Sequence, residues 1–385
     1  MDNIKKNYKK LNNVISYINN KYYIGKLYLL IDILFCKIIY KANLNDYKMF
    51  SMYLLNNKER KTILTSGKNL ILTNKLNDYS KLHIFENKNE FNEVFGDYLK
   101  RKWMFINRKN YNEFECFIKN MDYIIAKPND NTEGKRIEKI KVGDYSIKEL
   151  YNYLKDKDLL LVEEVIKQHN YLNKLYSKSI NRVTVVTILY NDITYIISIN
   201  LNLGNNSIVD SLKRGGMTNK IDIETGTSLH PFCDRGLNNY YFHPVTKEKI
   251  NNIKLPYINE IKSLVKDLSK IIKTVRYVSW DIAITNDGPI LIGASPLPNI
   301  YYQFYVHNED NKGIMPLIDE ILNKESGLQG ITGMSDLRDL DRAYEAREEK
   351  VLLAFDMYTD RISEYIAKYF VKLDGKVDGI IFTAG

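Results

Sequence analysis

The sequence predicts an α+β chain with a helical amino-terminal preface and a tail of separate origin, and three observations carry that expectation. Val278 to Thr285 and Pro289 to Ser295 read as two strands joined by Asn286-Asp287-Gly288, because a short polar run ending in glycine between β-branched runs is a strong hairpin signal. Residues 1 to 62 place apolar and polar positions at helical spacing. Beyond Asn323 the composition changes abruptly: 42 asparagines fall in residues 1 to 323 and none in the last 62, where 9 Lys and Arg face 12 Asp and Glu. The expected divisions are therefore 1–75, 76–322 and 323–385.

A chain of 385 residues with 44% hydrophobic and 12% aromatic residues can bury a real core and is not a disordered polymer. Lys and Arg number 56 against 47 Asp and Glu, a balance of +9. The basic residues are Lys-rich and scattered, with no Arg cluster or RNA-binding motif, so no nucleic-acid partner is expected. A basic face beside anionic lipid or polymer stays open, which would make the protein peripheral to a membrane. Cys36, Cys116 and Cys233 are odd in number and lack CxxC spacing, which suggests neither a disulfide framework nor a zinc site; the cytoplasm is the expected compartment.

The most apolar run, Leu27 to Tyr40, is short and contains Asp32 and Lys37, so it is not expected to span a membrane. No signal peptide is expected, because the polar amino terminus has no continuous apolar stretch. Within the preface Leu27, Leu30, Ile31, Leu34 and Phe35 share one helical face. That face is expected to dock on the body of the protein, with anchoring at a membrane surface as the alternative.

Four stretches carry candidate chemistry. Asp281 is a lone acid among residues that want burial, so it needs a partner, either hydrogen-bond donors or a cation. Tyr123 to Ala126 form a β-rich run ending in Lys127-Pro128, and a lysine at a strand end can point into a cleft. The loop Asn129 to Arg136 follows, keeping Gly134 beside Lys135. Leu159 to Val165 (LLLVEEV) reads as a buried strand closing on two acids, Glu163 and Glu164. Trp103 is expected in a core.

The run WDIAITNDGPILI resembles the carboxy-terminal metal-binding hairpin of ATP-grasp enzymes, and more narrowly the sugar-transfer-associated ATP-grasp family found with surface-polysaccharide genes, over about residues 20 to 322. The resemblance implies an ATP-grasp fold, two α+β lobes clasping nucleotide. It places Lys127 on the α-phosphate and adenine, Gly134 and Lys135 in a flap over the phosphates with Arg136 as a further donor, and Glu163, Glu164 and Val165 at the hinge against the base and ribose. Gln168 and His169 would neighbour the ribose. Arg182, in Asn181-Arg182-Val183-Thr184, would serve the reacting group from a position shifted from the family pattern. Asp210 and Gly215-Gly216 would face the acceptor, and His243-Pro244-Val245-Thr246 would be structural.

The reaction implied is phosphorylation of a carboxylate by ATP with Mg2+, then attack on the acyl phosphate by an amine or hydroxyl of a small-molecule or glycan-precursor substrate. The family's metal ligands are a strand Asp, matched by Asp281, and a Glu-Gly-Asn run, where this chain has Gly293-Ala294-Ser295. Losing a bridging carboxylate from such a site costs on the order of 10³-fold in rate. An ATP-dependent ligase and a catalytically impaired ATP-binding scaffold are both consistent with that pattern.

The last stretch, ending VDGIIFTAG, resembles part of the carboxy-terminal lobe of acetate kinase, in which Asp336-Leu337-Arg338 would lie against adenosine. The acetate site belongs to the other lobe of that family, so acetate kinase activity is not expected. Val351, Leu352, Phe355, Ile362, Tyr365, Ile366, Tyr369 and Phe370 predict a long amphipathic helix, followed by a strand from Gly379 to Thr383. A helix and one strand leave an apolar face, which is expected to pack on the body, to self-associate or to order poorly.

Overall fold

A computed structural model describes residues 2–107, 110–129, 136–207, 209–303, 310–323, 327–334 and 336–379. The chain forms two compact units, Met1–Met315 and Pro316–Gly385. The first begins with helices α1 (Asp2–Tyr22), α2 (Lys26–Ile39), α3 (Leu44–Met49), α4 (Asn57–Thr62) and α5 (Ser66–Leu76). The side chains of Asn43 and Asn56 accept from backbone N–H groups in the first turns of α3 and α4, while Asp46 and Glu59 reach back to the cap N–H groups. Amides that a helix start would leave open are satisfied in this way.

Helix α2 packs through the face opposite to the one expected. Leu29, Asp32, Ile33 and Cys36 are buried, whereas Leu27, Leu30, Ile31, Leu34 and Phe35 are exposed. An ion pair explains the inversion. Both terminal nitrogens of Arg60 donate to Asp32, at 2.7 and 2.8 Å, and the Tyr47 hydroxyl donates to it at 2.7 Å. Arg60 Nε also donates to the Met52 carbonyl at 2.9 Å. Asp32 must face its cation, so the apolar residues on the other side of the helix face outward.

Two antiparallel sheets follow. The smaller is built from β1 (Trp103–Phe105), β2 (Tyr123–Lys127), β3 (Glu138–Lys141) and β4 (Leu161–Glu164), in the order β1-β4-β2-β3. Helices Tyr111–Ile118 and Ile147–Asp156 cover it, packing Phe114, Leu150 and Leu154 on Ile124 and Val162. The larger sheet contains β5 (Val183–Tyr190), β6 (Ile193–Leu203), β7 (Met217–Ile221), β8 (Phe232–Cys233), β9 (Asn239–Tyr240), β10 (Tyr277–Thr285) and β11 (Gly288–Ser295), in the order β11-β10-β5-β6-β7-β8-β9. Alternation along β10 sends Val278 and Trp280 into its main core, where the Trp280 ring packs against Phe85 and Phe95 and its N–H donates to Thr187 at 2.9 Å. Trp103 packs on the edge of the same core, half-buried.

The predicted hairpin is present, with Gly288 at φ +117° in its turn, where a side chain would be strained. A bulge between Asp281 and Ile282 keeps Asp281 opposite Gly293 and Ser279 opposite Ser295. The helical preface is tied to this hairpin. Asn77 exchanges hydrogen bonds with the backbone of Tyr277, donating at 2.8 Å and accepting at 2.7 Å, and Gln303 does the same with Leu64 at 2.9 and 3.0 Å.

The second unit contains helices Gly327–Thr332, Leu337–Glu345 and Glu349–Lys372. Leu340, Ala343 and Val351 make its small core, and Asp336 caps a helix while pairing with Arg338 at 2.7 Å. The long amphipathic helix is present as predicted; Tyr365, Tyr369 and Phe370 on it are exposed. The strand predicted to end at Thr383 falls outside the described residues from 380 onward.

Removing one partner of a buried pair strands the other charge. Asp32→Ala is therefore expected to destabilise the first unit by about 3 kcal/mol, read as a lowered urea midpoint; a midpoint unchanged from the parent would contradict the role given to Asp32.

Candidate functional site

Lys127 ends β2 as the sequence predicts, stopped by Pro128, and its ammonium lies 2.5 Å from Glu163 Oε2. Glu163 is 3% exposed and sits beside Lys127 because β4 pairs with β2, with Ile125 directly opposite Glu163. Its other oxygen accepts from Arg101 at 3.0 Å and from Asn92 at 3.3 Å. Burial alone would push this carboxyl up; Lys127 and Arg101 outweigh it and hold it down at about 2. Burial holds the Lys127 ammonium below its usual range, although Glu163 favours its charge.

The two acids of β4 thus part company. Glu163 points inward as a counter-ion, whereas Glu164 is exposed and its carboxylate accepts from the Lys102 N–H at 3.2 Å. Val165 is half-buried where the strand ends. Gly134 and Lys135 lie outside the described residues; on one side of that gap Asn129 accepts from the backbone of Lys88 and Asn89, and on the other Arg136 pairs with Asp158 at 3.7 Å. Gln168 is buried, donating to the Tyr176 and Ser179 carbonyls and accepting from Asn181, and His169 caps a short helix. His243 is fully buried, with Nε2 2.8 Å from the Gly204 carbonyl and Nδ1 accepting two backbone N–H groups.

Asp281 finds its partners on β5. Arg182 Nη1 donates to Asp281 Oδ2 at 2.6 Å, and the Thr184 hydroxyl donates to Oδ1 at 2.9 Å. Thr184 and Asp281 are register partners, so their side chains share a face. Arg182 also reaches Asp210, with 3.3 Å between Nε and Oδ2, and its backbone N–H donates to the same oxygen. Burial raises the Asp210 carboxyl above its usual range, with Asp281 adding to the effect and Arg182 opposing it. Burial would lower the Arg182 guanidinium, but Asp210 and Asp281 raise it above its ordinary value. Gly216 lies against this loop so closely that an added Cβ would sit 2.4 Å from the Asp210 carbonyl oxygen.

One further contact brings the two groups together. Arg101 Nη1 donates to the Leu291 carbonyl at 2.7 Å, and Leu291 pairs with Ile282, the neighbour of Asp281. Lys127 and Asp281 therefore lie at the two ends of a path through Glu163, Arg101 and β11, which couples the small sheet to the hairpin. Sequence reading missed Arg101, Asn92 and Thr184. The available signal was Glu163 itself, since an acid in an apolar strand requires a nearby cation.

A two-magnesium site needs several hard oxygen donors. Among the described residues no three His, Cys, Asp or Glu side chains stand together as a metal site. Asp281 is already held by Arg182, Gly293 opposite it has no side chain, and the Ser295 hydroxyl donates to the Leu297 carbonyl at 3.0 Å. The protein's own donors do not fit such a site.

Residues 137–304 match the family described as sugar-transfer associated ATP-grasp. This segment is a sugar-transfer associated ATP-grasp domain. It carries Glu163, Arg182, Asp210 and Asp281, while Lys127 and Arg101 precede the matched stretch. Residues 299–385 match the acetokinase family. Acetate kinase of Nitratidesulfovibrio vulgaris strain DP4 is 47% identical over 77 residues, covering 20% of this chain and 19% of that protein. The enzyme of Streptococcus thermophilus is 38% identical over 111 residues, 28% of each chain. The chain thus spans 19% to 28% of the length of these curated relatives. Among solved structures, D-alanine-D-alanine ligase from Helicobacter pylori is 13% identical with a TM-score of 0.35, covering 59% of this chain and 60% of that one.

Glu163 gives the ATP-grasp body a signed pH dependence. Its carboxyl is depressed from 4.5 to about 2 by folding, so its contribution is fully present above pH 4.5 and is lost as pH falls towards 2. Glu163→Gln is expected to remove that part of the acid-induced loss while lowering stability at neutral pH; thermal melts between those limits that fall in parallel for both proteins would contradict it.

Proposed function

We propose that this chain binds ATP between its two sheets and acts as an ATP-dependent ligase joining a carboxylate to an amine or hydroxyl. The observation that carries this reading is the path from Lys127 through Glu163 and Arg101 to the Leu291 carbonyl, beside Asp281. Lys127 donates to a phosphate as a compact point charge. The β4 end, Glu163 to Val165, serves as the hinge at the adenine and ribose. Any Mg2+ would come as the nucleotide's own counter-ion, held by its phosphate oxygens, because Asp281 is already paired with Arg182.

In the reaction a carboxylate oxygen attacks the γ-phosphorus and ADP leaves. An amine or hydroxyl then attacks the acyl carbon and phosphate departs. Arg182 answers the charge that develops on the transferred phosphoryl group, a task for a fixed, delocalised cation. Asn200, on β6, lies opposite Thr184, and its buried Nδ2 finds no acceptor among the described residues, which supports a polar substrate over that part of the sheet. The substrates proposed are small molecules or glycan precursors, in the cytoplasm, where the free cysteines Cys36, Cys116 and Cys233 would stay reduced. Self-association through the exposed aromatics of helix Glu349–Lys372 is part of the same proposal.

A second reading, an ATP-binding scaffold impaired in chemistry, is favoured by the Arg182–Asp281 pair at 2.6 Å and by Gly293 opposite the carboxylate. An added Cβ at Gly293 meets nothing within 4 Å, so a larger residue fits there.

Two outcomes follow. Lys127→Ala is expected to weaken ATP binding about tenfold or more, a loss of roughly 1.4 kcal/mol, measured by titration calorimetry; unchanged affinity would remove Lys127 from the site. The double variant Gly293→Glu, Ser295→Asn is expected to raise ADP release in the presence of candidate carboxylates and acceptors, and no gain would show that these positions do not limit turnover.

A further inference from the structure

The exposed face of α2 answers no need of the site described above. Leu27, Ile31, Leu34 and Ile38 follow one another at helical spacing and are 72%, 60%, 51% and 73% exposed. Tyr28, Phe35 and Ile39 widen the stripe. Lys26 and Lys37 are exposed along one edge, and Lys41 follows just beyond the helix. The one acid of α2, Asp32, is buried in its pair with Arg60 and contributes no outward charge. Residues 1 to 41 contain 8 Lys and 2 Asp, and Lys5, Lys9 and Lys10 of the preceding helix are also exposed.

We infer that this face docks on an anionic lipid surface, lying in the plane of the interface. Exposed apolar side chains beside outward lysines are the chemistry that such a surface recognises, and each lysine near anionic headgroups adds an attraction that salt screens. No helix among the described residues is long and apolar enough to cross a membrane, so the contact is peripheral. A second copy of the chain fits the stripe less well. Two-fold pairing of α2 with itself would bring its Lys26 and Lys37 edges together with no exposed acid on the helix to offset them. The inference is independent of ATP binding, because it uses no residue of the candidate site.

The test is flotation of the full chain with vesicles of phosphatidylcholine alone and of phosphatidylcholine with phosphatidylglycerol. The expected result is binding to the anionic vesicles, weakened by salt, with little on the neutral ones. Ile31→Asp with Ile38→Asp should abolish it, and Lys26→Glu with Lys37→Glu, which leaves the apolar stripe intact, should weaken it about tenfold or more. Circular dichroism and melting of both variants should match the parent, as all four positions are exposed. Absence of vesicle binding by the parent overturns the proposal. So does binding that neither variant changes, or a dimer in light scattering that Ile31→Asp with Ile38→Asp splits while vesicle binding is unaltered.

Discussion

A buried carboxylate with two cations is the constraint on which the rest of the molecule depends. Glu163 sits in the small sheet with almost no exposure, and a charge in that position is tolerable only when compensated. Lys127 compensates it from β2 and Arg101 from the segment before β1, and Arg101 also donates to the β11 carbonyl at Leu291. The electrostatic demand of one residue therefore fixes the strand-end lysine and joins the small sheet to the hairpin that bears Asp281. Preorganisation of this kind is what a phosphate-binding cleft requires, because groups held before the ligand arrives need not be ordered by it.

The second charged group works by different physics. Arg182 lies between Asp281 and Asp210, so a single guanidinium is shared by two carboxylates, and Thr184 fixes the orientation of one of them. Each carboxylate already has a cationic partner, although the set of one cation and two acids keeps a formal negative charge. That pairing is why the chemistry proposed for the domain and the losses at Gly293 and Ser295 stand in tension. A cation entering beside Asp281 would have to compete with an arginine already in hydrogen-bond contact.

Much of this arrangement was legible in the sequence. The Asn-Asp-Gly turn fixed the register at the hairpin end, Thr285 opposite Gly288, and Pro128 marked the strand end at Lys127, but the bulge that brings Asp281 opposite Gly293 had no local signal. Partner identity was not legible, since Arg101 belongs to an ordinary basic run, Arg-Lys-Trp, and nothing local says which cation will reach Glu163. The outward stripe of α2 shows the same limit. Periodicity groups residues by face, but Asp32 and Arg60, distant in sequence, decide which face turns inward. The compositional break after Asn323 was visible without any structure, and the acetokinase match beginning at residue 299 spans it.

The central claim is that a nucleotide lies between the sheets, with Lys127 on one side and Asp281 facing it on the other. A crystal structure of the chain with a non-hydrolysable ATP analogue and magnesium tests it most directly. The account predicts phosphate oxygens within hydrogen-bond distance of Lys127 Nζ, the adenine against Glu163 to Val165, and any ion on the phosphates next to Asp281. Nucleotide bound elsewhere on the molecule, or a cleft left empty at saturating analogue, would contradict it.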